Sequence, residues 1–168
     1  FYTEQEATVK QILEKNNEAF AKVETFKNPI AGKKIKCYVD DKESFTVKIQ
    51  ELLQNQPSVY QMPEKLIAIS DIEGNYHQFK EFLINNKVMD KNYKWTFGKG
   101  HLVTVGDFFD RGLLVNQTLW LIYSLEEQAE KAGGKVHFVL GNHDLMNMKN
   151  DFRYVRKKYL ENAKLMGV

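Results

Sequence analysis

Three short apolar runs constrain this chain more than any other feature: Leu66-Ile67-Ala68-Ile69, Leu102-Val103-Thr104-Val105 and Val136-His137-Phe138-Val139-Leu140. Stretches with helical periodicity separate them, at about 75–87 and 113–132, and a further one follows at about 151–165. Alternation of this kind is the sequence form of a parallel α/β sheet. Trp95-Thr96-Phe97 and the Gly98-Lys99-Gly100 turn read as a small hairpin leading into the second run. Ligands of an open α/β sheet bind beyond the carboxyl ends of its strands, where loops converge and helix amino termini point inward. The residues that follow each run are therefore the place to look for chemistry.

The first sixty residues follow other patterns. Val9, Ile12, Leu13, Phe20 and Val23 fall on one face of a helix expected over 3–23, with Glu6/Lys10 and Glu18/Lys22 spaced as i,i+4 pairs. Ile35, Cys37 and Val39, then Phe45, Val47 and Ile49, alternate as the two strands of a hairpin. The chain thus divides into an extension of helix plus hairpin over 1–60 and an α/β unit over 61–168.

The three runs end in Ser70-Asp71-Ile72-Glu73-Gly74-Asn75, Gly106-Asp107-Phe108-Phe109-Asp110-Arg111-Gly112 and Gly141-Asn142-His143-Asp144. All three are dense in oxygen and nitrogen donors, and each contains a glycine suited to a tight turn. Several acids gathered in one cleft are unfavourable unless a cation neutralises them, and carboxylate and amide oxygens suit hard or borderline divalent ions. Taken singly, Asp71 reads as a helix cap, Asp110-Arg111 as a surface ion pair and Asn142 as a turn residue. Their joint placement at strand ends favours a common metal site.

At these positions the sequence resembles the calcineurin-like metallophosphoesterase superfamily, and within it the phosphoprotein-phosphatase type, whose pattern is Asp-x-His-Gly, Gly-Asp-x-x-Asp-Arg-Gly and Gly-Asn-His-Glu/Asp. The second and third motifs match completely. Leu145-Met146-Asn147-Met148 and Asp151-Phe152-Arg153-Tyr154-Val155 resemble the Shewanella-like subgroup of bacterial phosphatases. The likeness runs from residue 66 to about 160, and the first sixty residues match no known family by their motifs. It implies a four-layer α/β fold, a β-sandwich flanked by helices, of which this chain holds the first βαβαβ half. It also implies two divalent ions, manganese foremost with iron, zinc and magnesium as alternatives. Asp71 and Glu73 would bind the first, Asp107 both and Asn142 the second. His143 would act as general acid, Asp110 would position its imidazole, and Arg111 would grip phosphate oxygens. The implied reaction is hydrolysis of a phosphate monoester by a metal-bridging hydroxide, with a phosphorylated protein or small molecule as substrate.

Two departures from the pattern qualify that expectation. Glu73 stands where the family has a histidine; as a ligand it would favour manganese or magnesium over zinc, and its other reading is a helix-start residue. The family also completes its site with later histidines, and this chain has none after His143. His77 reads as a surface helix residue, and His101 and His137 as structural. The expectation is therefore an amino-terminal fragment whose sheet leaves a face or edge uncovered. The competing readings are a phosphate-binding module without turnover and a nucleotide phosphohydrolase or phosphodiesterase on the same centre. Lys149, Arg153, Arg156, Lys157, Lys158 and Lys164 read as a solvated face, or as the lining of a phosphate approach around Arg153.

A formal charge of +2 gives no general case for nucleic acid as partner, and no stretch is apolar for the 20 or so residues of a membrane span. The single cysteine, Cys37, accords with a reducing compartment and favours the cytoplasm. The first residue is Phe1 rather than methionine, which points to a trimmed amino terminus and leaves export open. Nothing in the sequence specifies an oligomeric state.

Overall fold

Two antiparallel ribbons precede the central sheet. The first pairs β1 (Glu6–Lys15) with β2 (Glu18–Lys27), and the second pairs β3 (Lys34–Tyr38) with β4 (Ser44–Lys48). The remaining elements are β5 (Leu66–Ile69), α1 (Tyr76–Asn85), β6 (His101–Val105), α2 (Val115–Lys131), β7 (Lys135–Val139), α3 (Asn142–Met148) and α4 (Lys157–Met166). The computed structural model describes residues 3–15, 18–51 and 55–167.

The helix expected over 3–23 is replaced by the β1–β2 ribbon. The apolar spacing of this segment is compatible with either state, and two considerations favour the extended one. Thr8, Val9, Ile12, Phe20, Val23, Thr25 and Phe26 are β-branched or aromatic, types that suit a pleated surface. Pairing sets Leu13 opposite Phe20 and Ile12 opposite Ala21, so apolar side chains meet across strands. The i,i+4 pairs that favoured a helix stabilise one by only about 0.2–0.5 kcal/mol each, and Lys22 instead pairs with Glu24 at 2.7 Å. The ribbon packs on α4, where Lys10 Nζ donates to the Met166 carbonyl at 2.5 Å. A cation there also complements the partial negative charge of a helix carboxyl end.

The second ribbon forms as expected, with Ile35 opposite Val47 and Cys37 opposite Phe45. Phe45 and Val47 enter the core, and Phe45 stacks on Tyr93 at 5.1 Å. Glu43 ties this ribbon to α1 by accepting from Tyr93 (2.5 Å), Lys80 (2.8 Å) and Tyr76 (3.1 Å). Burial pushes the Cys37 thiol up to about 12, which keeps it protonated and unreactive.

The three apolar runs form one parallel sheet in the order β5-β6-β7, with Ala68, Val103 and His137 in register. α1 and α2 contact each other and share one core with the sheet, the same-face placement that the usual hand of such crossovers produces. Leu102, Thr104 and Val136 are buried on that face with Phe79, Leu83, Leu121 and Leu125. The other face is open at its carboxyl end, where Val105 is 47% exposed and Val139 45%. At its amino end Tyr60 packs edge-on against His137 at 4.5 Å, and His137 Nε2 lies 3.0 Å from His101 Nδ1. Both histidines are thus structural, as the sequence suggested. The expected uncovered face is present among the described residues.

Two local expectations are corrected. Trp95 does not pair forward in a hairpin over Gly98; it bridges back to Met89, because Asp90 Oδ1 accepts from the Asn92 and Lys94 amides (2.8 and 2.9 Å) and closes that loop first. The last helix begins at Lys157 rather than 151. Asp151 instead binds the Arg153 guanidinium, at 2.7 Å to Nη2 and 2.8 Å to Nε, in the turn before it.

Candidate active site

Backbone bonds tie the loop after β5 to the loop after β6, and that loop to the segment between α3 and α4. Glu73 N donates to the Asp107 carbonyl (2.8 Å), Leu114 N to the Gly74 carbonyl (3.2 Å) and Arg111 N to the Tyr154 carbonyl (3.2 Å). Glycine is required where these loops touch. A Cβ on Gly112 would lie 2.0 Å from the Glu73 carbonyl oxygen, and one on Gly141 would lie 2.3 Å from Asp107 Oδ1. Five residues of these loops, Asp71, Glu73, Asp107, Asp110 and Arg111, have positive φ between 46° and 75°. Left-handed backbone at non-glycine residues costs on the order of 1–3 kcal/mol each and collects at functional sites.

Asp144 organises the centre of this arrangement. It is 1% exposed, and its two carboxylate oxygens accept the amides of Asp107 (2.9 Å), Phe108 (2.9 Å), Phe109 (3.2 Å) and Gly141 (2.8 Å). One buried anion thereby fixes the loop after β6 against the loop after β7, and it also occupies the first turn of α3, where negative charge is favoured. The sequence reading gave Asp144 no role beyond completing its motif. The signal available was its place three residues into a helix that begins at Asn142.

His143 is 6% exposed. Its Nδ1 lies 2.7 Å from Asp110 Oδ2, and its backbone N–H donates to Asp107 Oδ1 at 2.8 Å. The other Asp110 oxygen accepts Asn147 Nδ2 at 2.9 Å, and the same amide also reaches the His143 carbonyl at 3.0 Å. With Nδ1 directed at the Asp110 carboxylate, Nε2 is the ring nitrogen left to act on a ligand. Asn147 was another residue the sequence reading passed over, although it lies one helical turn from His143.

Arg111 is surrounded on several sides. Its Nη1 donates to Glu73 Oε1, its guanidinium lies 5.5 Å from the Tyr154 ring, and its carbonyl accepts Arg156 Nε at 2.5 Å. Tyr154 also lies 5.2 Å from the His143 ring, so it stands between the expected general acid and the expected phosphate grip. Arg153, 5.9 Å from the Tyr154 ring, is paired with Asp151. Of the terminal basic residues, Arg153 and Arg156 therefore border the site, while Lys157 is paired with Glu161 at 3.2 Å. His77 is exposed on α1.

Asp71, Asp107 and Asn142 stand at the three strand ends as expected, with Asp71 and Asn142 exposed. They supply hard oxygen donors of the type that manganese or magnesium takes. The set is partial: one oxygen of Asp107 is engaged by His143, Glu73 is turned to Arg111, and among the described residues no three His, Cys, Asp or Glu side chains converge closely enough to hold an ion. These residues fit a divalent cation in donor chemistry while leaving most of its coordination to be completed.

The sequence profile of the calcineurin-like phosphoesterases matches residues 64–167. Among curated proteins, the chain is 40% identical over 111 residues to Shewanella-like protein phosphatase 2 of Arabidopsis thaliana, an overlap of 66% of this chain and 28% of that protein. It is 34% identical over 97 residues to Shewanella-like protein phosphatase 1 of Plasmodium berghei, covering 58% of this chain and 27% of the other. Among solved structures, the cold-active protein tyrosine phosphatase of a psychrophilic Shewanella superposes with a TM-score of 0.73 at 29% identity, over 96% of this chain and 51% of that one. A mutant of a cold-active protein tyrosine phosphatase gives 0.73 at 32% identity, over 89% and 46%. The chain thus spans under a third of the curated relatives' length and about half of the solved chains'. Coverage of 96% includes most of the amino-terminal sixty residues, so that solved structure aligns with a segment whose motifs matched no known family.

Proposed function

The chain belongs to the calcineurin-like phosphoesterase family, and on that premise we propose that it supplies a half-site for metal-dependent hydrolysis of phosphate monoesters, with phosphorylated protein side chains as the substrate class. The observation that carries this reading is the His143–Asp110 pair at 2.7 Å, held beside Arg111 by the same loops that present Asp71, Asp107 and Asn142. The names of the relatives and of the solved neighbours support it, since each is called a protein phosphatase or a protein tyrosine phosphatase.

Asp71, Asp107 and Asn142 would hold divalent ions, which supply activation of water and neutralisation of phosphoryl charge when bound. The other steps belong to this chain's own side chains. Arg111 presents a planar fork of donors to phosphate oxygens. Asp110 fixes the His143 ring through Nδ1, and Asn147 holds Asp110 in turn, so that Nε2 can deliver a proton to the departing oxygen. Positioned proton transfer of this kind contributes about 10²- to 10⁴-fold.

The test is hydrolysis of an aryl phosphate by the purified protein with manganese. His143→Ala should lower kcat by about 10²- to 10⁴-fold, and full activity in that variant would remove the assignment. The partial donor set favours one rival, a module that binds phosphate without cleaving it. Phosphate binding with no turnover in the parent protein would select that reading.

A further inference from the structure

Glu73 occupies an unusual position for a carboxylate in an anion site. Its Oε1 accepts from Arg111 Nη1, its side chain is 17% exposed against 52% for Arg111, and its amide is held by the Asp107 carbonyl at 2.8 Å. Backbone contact enforces the meeting: Gly112 packs against the Glu73 carbonyl so closely that no Cβ fits between them. The Tyr154 ring also lies 5.5 Å from the guanidinium.

We propose that Glu73 serves Arg111 rather than a metal ion: it holds the guanidinium in the anion site and, by its own charge, makes phosphate binding conditional on a divalent cation. This inference rests on the phosphatase reading. A charge-assisted bond to one nitrogen of the fork fixes its plane and leaves the remaining donors for a phosphate oxygen. The same carboxylate stands beside the place where a phosphate dianion arrives and already matches the Arg111 charge, and Asp71 and Asp107 follow the ends of the neighbouring strands β5 and β6, so in the absence of a cation an arriving phosphate meets further like charge. Neutralising the flanking carboxylates reverses that balance. Cation and phosphate should therefore bind with positive coupling, and by linkage each should strengthen the other equally.

The experiment is calorimetric titration of the purified protein with inorganic phosphate, in EDTA and in saturating manganese, together with titration of manganese alone. For the parent protein, manganese should tighten phosphate at least tenfold, within the usual 5- to 150-fold range of coupling between sites. Glu73→Gln should bind phosphate about fivefold or more tightly in EDTA, shrink the manganese effect, and change manganese affinity by less than about twofold. Glu73→Asp, which keeps the charge, should retain the coupling, and unchanged thermal unfolding of both variants guards against simple misfolding. If Glu73→Gln instead loses manganese about tenfold with phosphate in EDTA unchanged, Glu73 is a metal ligand and the proposal fails. Coupling that persists undiminished in Glu73→Gln also overturns it. A parent protein that binds neither manganese nor phosphate would sink the phosphatase reading itself, a different result from either.

Discussion

The loops at the carboxyl end of the sheet and the β1–β2 ribbon are held by different forces. In the loops, one carboxylate that is 1% exposed gathers four backbone amides from two segments, and glycines stand where a single methyl group would collide with a neighbouring oxygen. The ribbon is held by its own ladder and by α4, and its Val23 remains 55% exposed. Positional accuracy in this protein is thus concentrated at the site, where the cost of an error is an unpaired buried polar group. The ribbon tolerates slack because water satisfies whatever it leaves exposed.

The largest test of that contrast is Asp144→Ala. Removing the shared acceptor orphans four amides, and a loss of about 3–5 kcal/mol is expected in urea unfolding, as for other broken buried charge networks. A loss below about 1 kcal/mol would mean that the loops hold their shape without it. Gly112→Ala is next. Overpacking against the Glu73 carbonyl should cost about 1–3 kcal/mol, and phosphate binding should weaken with it, because the two loops must part. Lys10→Ala should be the mildest, under about 1 kcal/mol by thermal unfolding, since it removes one partly exposed bond to the carboxyl end of α4. If Lys10→Ala cost as much as Asp144→Ala, the proposed difference between the two regions would collapse.

What could be read from sequence follows the same division. Asp71, Asp107 and Asn142 were legible because a rule of topology places the ends of parallel strands together, so that three separate motifs predict one location. The ribbon was misread because Val9, Ile12, Leu13, Phe20 and Val23 satisfy a helical spacing, and what decides against it is cross-strand and α4 packing that no local window contains. The roles of Asp144, Asn147 and Tyr154 lay between these cases. Their identities were visible within recognised motifs, but their partners are backbone groups, the Asp110 carboxylate and rings brought near only by the turns themselves. Glu73 was noticed as an anomaly on sequence grounds, and its pairing with Arg111 required the contact of the first and second loops to be seen.

The left-handed backbone of Asp71, Glu73, Asp107, Asp110 and Arg111 also has a consequence for how this protein can change. Glycine adopts that conformation without the side-chain penalty of roughly 1–2 kcal/mol, so glycine at several of these positions is a plausible route to a more heat-resistant protein. The same replacements delete the carboxylates and the guanidinium to which the proposed function assigns the chemistry. A library screened for thermal resistance alone would accumulate glycines in these loops and lose the side chains that the proposed function needs. On the proposed function, it is selection for turnover that keeps the side chains at these five positions in place.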